Sequence, residues 1–156
     1  MENKTNAMRM LDKHKTVYQA YSYDSSRALS GIEVATALGQ DPKQVFKTLV
    51  TVGKSRQHYV FMVPVAEELD LKKAAAAAGE KSVEMVKSKE LLGLTGYVHG
   101  GCSPLGMKKL FPTFADETAC RFSTIIFSAG KIGFQIEAPL TALVEIIGLK
   151  TAPLTV

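Results

Sequence analysis

The sequence has no apolar run long enough to cross a bilayer; its longest apolar stretches are broken by glycine, proline or charge. Its first residues, Met1-Glu2-Asn3-Lys4-Thr5-Asn6, lack the apolar segment of a secretory signal. Cysteine is scarce: Cys102 and Cys120 form no C-x-x-C pair and no zinc-ligand spacing. A chain of 156 residues buries enough core to fold as one domain without a disulfide, so a reducing cytoplasm is the expected compartment. His14, His58 and His99 lie far apart and none sits in an H-E-x-x-H pattern, so no metal centre is expected. Walker and dinucleotide fingerprints are absent too, because Gly100, Gly101 and Gly106 lack the spacing and strand–helix context those motifs need. What remains is an ordinary globular composition, 46% hydrophobic and 22% charged. The formal net charge of +4 permits an anionic partner without requiring one.

Pattern and punctuation predict interspersed helices and strands. Thr5 caps a helix to about Lys13, and residues 17–21 alternate as a strand. Ser30-Gly31-Ile32-Glu33 has capping-box spacing for a helix that Gly39 stops, and Asp41-Pro42 opens a short helical turn. Residues 45–52 and 58–65 read as a hairpin around Gly53-Lys54-Ser55-Arg56. Asp70 caps an alanine-rich helix over 71–78, ended by Gly79. A short strand over 82–86 and a helix capped by Ser88 and running to Leu92 follow. Residues 110–115 look extended, Asp116 caps a turn of helix, and 124–128 with 133–137 make a second hairpin. Pro139 opens a last helix over 140–147 that Gly148 ends, leaving 151–156 as a loose tail. Two hairpins without a regular βαβ rhythm indicate an α+β fold with a mixed or antiparallel sheet.

Three features carry candidate chemistry. Tyr97-Val98-His99-Gly100-Gly101-Cys102-Ser103-Pro104-Leu105-Gly106-Met107-Lys108-Lys109 reads as a loop of fixed shape. Its amides can face an anion or oxyanion, or it is a tight connection with two solvated lysines. Lys47 lies in the apolar strand Val45-Phe46-Lys47-Thr48-Leu49-Val50, where it meets either solvent or a ligand. Gln135 and Glu137 are ambiguous in the same way. Cys102 with His99 is a weaker candidate as a thiol nucleophile and base. Neither Ser103 nor Ser128 sits in a G-x-S-x-G elbow, so a serine triad is weaker still.

Four segments occur in order: Phe46-Lys47-Thr48-Leu49; Val63-Pro64-Val65 with Leu69-Asp70-Leu71-Lys72-Lys73; Gly96-Tyr97-Val98 with Gly100-Gly101-Cys102-Ser103-Pro104-Leu105-Gly106; and Ser128-Ala129-Gly130-Lys131 with Gln135-Ile136-Glu137. Over roughly residues 5 to 148 they resemble the YbaK/EbsC family of aminoacyl-tRNA deacylases, relatives of the editing insertion of bacterial prolyl-tRNA synthetases. The resemblance implies a single α+β domain over 1–156, with a mixed, barrel-like sheet flanked by helices around a substrate crevice. It implies metal- and cofactor-free hydrolysis of the ester joining a wrong amino acid to the tRNA 3′ end, with Cys-tRNA(Pro) the nearest precedent and alanine the chief competitor. The aminoacylated tRNA end is the implied partner, with a prolyl-tRNA synthetase a further one.

By resemblance, Lys47 matches the family's functional lysine. Gly100 and Gly101 match its glycine loop as catalytic positions, and Cys102, Ser103, Pro104, Ser128, Gly130 and Lys131 its substrate-binding positions. Three positions depart from the family pattern. Cys102 replaces an aliphatic residue, Ile132 a basic one, and Gln135 an aspartate found in some relatives. A non-catalytic binder of aminoacylated RNA ends and a Cys-His thiol hydrolase remain the alternatives at this point.

Overall fold

The computed structural model describes residues 4–26 and 29–156. Helix α1 (Asn6–Lys13) starts where the Thr5 hydroxyl accepts the Met8 amide at 3.2 Å, and it buries Ala7, Met8 and Leu11. Strand β1 (Gln19–Ser22) follows, then α2 (Gly31–Ala37), opened by a reciprocal capping box between Ser30 and Glu33. Strands β2 (Phe46–Gly53) and β3 (His58–Pro64) form the first hairpin, in register from Phe46–Pro64 to Val52–His58. Asp70 caps α3 (Leu71–Ala78) by accepting the Lys72 and Lys73 amides, and Gly79 ends it in the left-handed region at φ +72°. Strand β4 (Val83–Met85), helix α4 (Ser88–Thr95), strand β5 (Thr113–Asp116) and a 3-10 turn (Glu117–Arg121) lead to the second hairpin. That hairpin is β6 (Thr124–Ser128) with β7 (Phe134–Pro139); helix α5 (Leu140–Ile147) and strand β8 (Lys150–Ala152) complete the chain.

The strands form two sheets. One runs β4-β2-β3-β5-β8, antiparallel about β2 and parallel from β3 to β8; the other, β1-β7-β6, is antiparallel throughout. A parallel bridge between Val45 and Ile126 joins them, so the barrel-like expectation takes the form of two linked sheets rather than a closed barrel. The main core lies between the sheets, where Phe46 and Met62 meet Ile125, Phe127 and Ile136, closed by Leu11 of α1 and Leu143 of α5. On the far side of the larger sheet, Phe61, Val63 and Phe114 pack on Ala74 and Ala75 of α3. Because β3 is covered on both faces, it reads as an unbroken apolar run rather than an alternation. Each such side chain stabilises the fold by about 1.5–3 kcal/mol on burial.

Several expectations need correction. The last residues are not loose: β8 pairs with β5 in parallel, Leu69 bridges Thr155, and Leu154 is fully buried with its amide on the Asp116 carboxylate at 2.9 Å. Ser88 is the first residue of α4 rather than its cap; Lys87 holds that position and the helix runs on to Thr95. Asp41-Pro42 makes a turn closed by the Gln44 amide on the Asp41 carbonyl, not a helix. β1 begins two residues later than expected, at Gln19, and β5 three residues later, at Thr113.

Candidate functional site

A cavity of about 300 Å³ opens where the two sheets meet. That is the size of a small ligand site. Its walls are mostly apolar, with Val34, Val45, Phe46, Leu91, Phe127 and Phe134 among them; its polar groups include Lys47, Thr48, His99, Cys102, Ser128 and Gln135.

Of the residues singled out in the sequence, Lys47, Gly100, Cys102 and Ser128 line this cavity, whereas Gly101, Ser103, Pro104, Gly130 and Lys131 lie behind or beside the wall. Lys47 projects from β2 with its side chain 30% exposed, and its ammonium stands 3.8 Å from the carboxylate of Glu68, itself 83% exposed. A pair this long and open contributes little to stability and leaves the ammonium available. The apolar strand therefore presents one cation at the edge of an apolar space.

The glycine loop is built to hold its shape. Gly100 takes φ +87° and lines the cavity. The Gly101 amide does not face the cavity: it donates to the Val98 carbonyl at 3.0 Å, closing a turn. Gly101 instead packs against the second loop, where an added Cβ would lie 3.1 Å from the Ile132 amide nitrogen. Ser103 is fully buried and its hydroxyl accepts the Leu105 amide at 3.3 Å, while Pro104 is buried behind it. In the second loop, the Ser128 hydroxyl accepts the Gly130 amide at 3.1 Å, and the exposed Lys131 ammonium sits 5.4 Å from the Phe134 ring centroid. Phe134 is a cavity wall, so Lys131 stands at the cavity's border.

Cys102 is buried, and desolvation pushes its thiol up to about 11 despite a hydrogen bond with Thr95 that acts the other way. A thiol kept protonated by desolvation is a poor nucleophile at neutral pH. Gln135 is buried and accepts the Gln40 side-chain amide at 2.7 Å, so the cavity wall carries a neutral, already held amide there rather than an acid. Glu137 faces away, accepting Tyr21 and Thr124 hydroxyls at 2.6 Å each; that bond raises the Tyr21 phenol above its ordinary value. Among the described residues, no three His, Cys, Asp or Glu side chains come together to hold a metal ion, and no helix is long and apolar enough to cross a membrane.

Sequence reasoning did not find the contributions of Tyr23, Ser30 and Gly31, nor of Thr48 and Leu91. Tyr23, Ser30 and Gly31 lie in or beside a loop whose approach to β2 is set only by the tertiary fold. Thr48 and Leu91 carried only the pattern of ordinary strand and helix positions.

Comparisons with known proteins give the family. The family model for the aminoacyl-tRNA editing domain matches residues 28–146. An Enterococcus faecalis protein that bears the name Cys-tRNA(Pro)/Cys-tRNA(Cys) deacylase EbsC is 48% identical over 155 residues, covering 99% of this chain and 94% of that protein. A proline–tRNA ligase of Shouchella clausii is 30% identical over 103 residues, 66% of this chain but 18% of the synthetase. A crystal structure described as a trans-editing enzyme for prolyl-tRNA synthetase superposes with TM-score 0.84 at 25% identity, covering 99% of both chains. With a family model over three quarters of its length and a near-full-length relative at 48% identity, the chain belongs to the aminoacyl-tRNA editing domain family of deacylases.

Proposed function

We propose that this protein acts in trans on mischarged tRNA, removing cysteine from Cys-tRNA(Pro) without a metal. The observation that carries the reading is the convergence of Lys47 and the Gly100 loop on one small apolar cavity. An aminoacyl ester is already reactive, so holding it against a fixed set of donors and excluding bulk water supplies much of the required rate. Lys47 holds the terminal ribose or phosphate, or stabilises the charge that develops on the ester oxygens. The Gly100 loop forms the wall against which the carbonyl lies, and Gly101, Ser103, Pro104 and Gly130 keep that wall in place. Lys131 at the cavity border meets the RNA backbone. The nucleophile is water or, with a cysteinyl substrate, the substrate's own thiol; the raised thiol of Cys102 speaks against a protein nucleophile.

The tRNA 3′ end is the partner in this reading, the cytoplasm the compartment, and a prolyl-tRNA synthetase the protein that presents the tRNA. The experiment is a panel of mischarged tRNAs incubated with the purified protein in the presence of EDTA. Cys-tRNA(Pro) is expected to lose its amino acid fastest, with Ala-tRNA(Pro) the informative competitor. Stable esters throughout, with aminoacylated RNA still bound, would make the protein a binder instead.

A further inference from the structure

Strand β2 has one incomplete edge. β3 pairs with it along its whole length, but on the other side β4 reaches only Thr51 to Gly53 and the bridge to the second sheet stops at Val45. Two hydrogen bonds fix which main-chain groups face which way. The Val45 carbonyl accepts Val65 on the β3 side, and the Val50 carbonyl accepts Val86 on the β4 side. Strand alternation therefore turns the N–H and C=O of Thr48 outward onto the open edge. No residue among those described pairs with that edge, and Phe46, Lys47, Thr48 and Leu49 all line the cavity. A second observation falls on the same residue: the Thr48 hydroxyl oxygen is buried and has no hydrogen-bond partner. Unpaired main-chain groups inside a protein cost free energy unless something satisfies them.

From this edge we infer that Thr48 receives the aminoacyl group as one residue of an added antiparallel strand. In that pairing the substrate's α-ammonium donates to the Thr48 carbonyl and the Thr48 N–H donates to the ester carbonyl, the reciprocal two-bond exchange of an antiparallel pair. Rigid main chain then reads the part common to all α-amino acids and leaves side-chain choice to the apolar walls. The same N–H strengthens its bond as the ester oxygen becomes negative, so it serves both binding and the chemical step. The assignment rests on the deacylase reading above and extends it to the recognition of the free α-amino group.

The test uses the intact protein and two kinds of probe. In the first arm, 3′-(L-alanylamino)-3′-deoxyadenosine, which resists hydrolysis, and its N-acetylated form are titrated while the Thr48 amide is followed by NMR. The free amine is expected to shift the Thr48 resonance and to bind about tenfold or more tighter than the acetylated form. Equal binding, or no binding by either, overturns the inference whether or not any tRNA is hydrolysed. In the second arm, Thr48 is replaced by its α-hydroxy acid analogue, which removes the N–H and retains the side chain. Deacylation of Cys-tRNA(Pro) is expected to fall about 100-fold, the usual consequence of losing one oxyanion donor. An unchanged rate overturns the inference while leaving the deacylase reading intact; no rate in either protein overturns that reading and leaves the binding arm to decide this one.

Discussion

The ring of Tyr97 fills the space that a side chain on Gly130 would need: a Cβ there would lie 2.8 Å from Tyr97 Cε1. Tyr97 is in turn anchored by its hydroxyl, which donates to the Leu105 carbonyl at 2.6 Å, and by its amide on the Thr95 hydroxyl at 3.0 Å. Burial raises the phenol to about 12, so the hydroxyl remains a donor across the physiological range. One aromatic side chain thus ties the glycine loop after α4 to the loop between β6 and β7.

Gly130→Ala meets both this contact and a backbone at φ +98°. It is expected to destabilise the protein by about 1–3 kcal/mol, the range for a residue forced into a strained conformation, and to lower activity with it. Urea unfolding of the variant beside the parent checks the magnitude; an unchanged midpoint would show that the two loops are not locked together.

Gly101→Ala tests a different contact. Its Cβ would press on the Ile132 backbone at 3.1 Å rather than on a flexible side chain, so the second loop must move. Deacylation is expected to fall while binding of uncharged tRNA changes little, because the effect is on the cavity wall. A rate equal to the parent's would separate loop spacing from activity.

Lys47→Ala should reduce deacylation about tenfold or more, which corresponds to roughly 1.4 kcal/mol of transition-state stabilisation. Its only ion-pair partner among the described residues, Glu68, is long and exposed, so the melting temperature should barely change. Glu68→Ala should leave both nearly unaltered. Full activity in a folded Lys47→Ala protein would remove the lysine from the mechanism.

Cys102 should resist alkylation near neutral pH while the exposed Cys120 reacts, and the singly alkylated protein should keep its activity. The raised thiol also predicts a pH effect. Its contribution to stability is complete below the ordinary thiol value of 9.0 and is lost as pH rises through about 11. Over that window the parent should lose about 2–3 kcal/mol more than Cys102→Val, from about 1.4 kcal/mol for each unit of pKa difference. Melting curves at stepped alkaline pH give the comparison, and parallel curves would contradict it.

If Lys47, Lys131 and one lysine of the 108–109 pair supply the contacts to the RNA backbone, as the proposed function requires, the grip is too sparse to hold the whole tRNA. Neutralising about two or three phosphates of a single-stranded end gives a log–log salt slope of about −1.4 to −2.1. Titration of uncharged proline tRNA at several salt concentrations measures it directly. A much steeper slope for the isolated protein would mean that the tRNA body is bound as well.

What was legible in the sequence was local. Thr5, the Ser30–Glu33 box, Asp70 and the glycines at 79 and 148 each act through hydrogen bonds or backbone angles within a few residues, and each stands where the pattern put it. Both hairpins followed from β-branched runs around short turns. β8 was not legible because parallel pairing with β5 is made across more than thirty residues and leaves no local mark. The site divides in the same way. Lys47 stood out as a charge in an apolar strand, but nothing short of the fold distinguishes Gly100, which faces the cavity, from Gly101, which faces the neighbouring loop.

The pairing of the final residues has a practical consequence for work with this protein. The Val156 amide donates to the Glu68 carbonyl at 3.1 Å, Lys73 holds the Thr155 carbonyl at 2.7 Å, and the Glu68 carboxylate is the group opposite Lys47. Any polypeptide joined after Val156 leaves the fold beside that ion pair. A tag or reporter fused there therefore starts next to residues that position Lys47's partner, so the activity of such a fusion is best compared with that of the protein after its proteolytic removal.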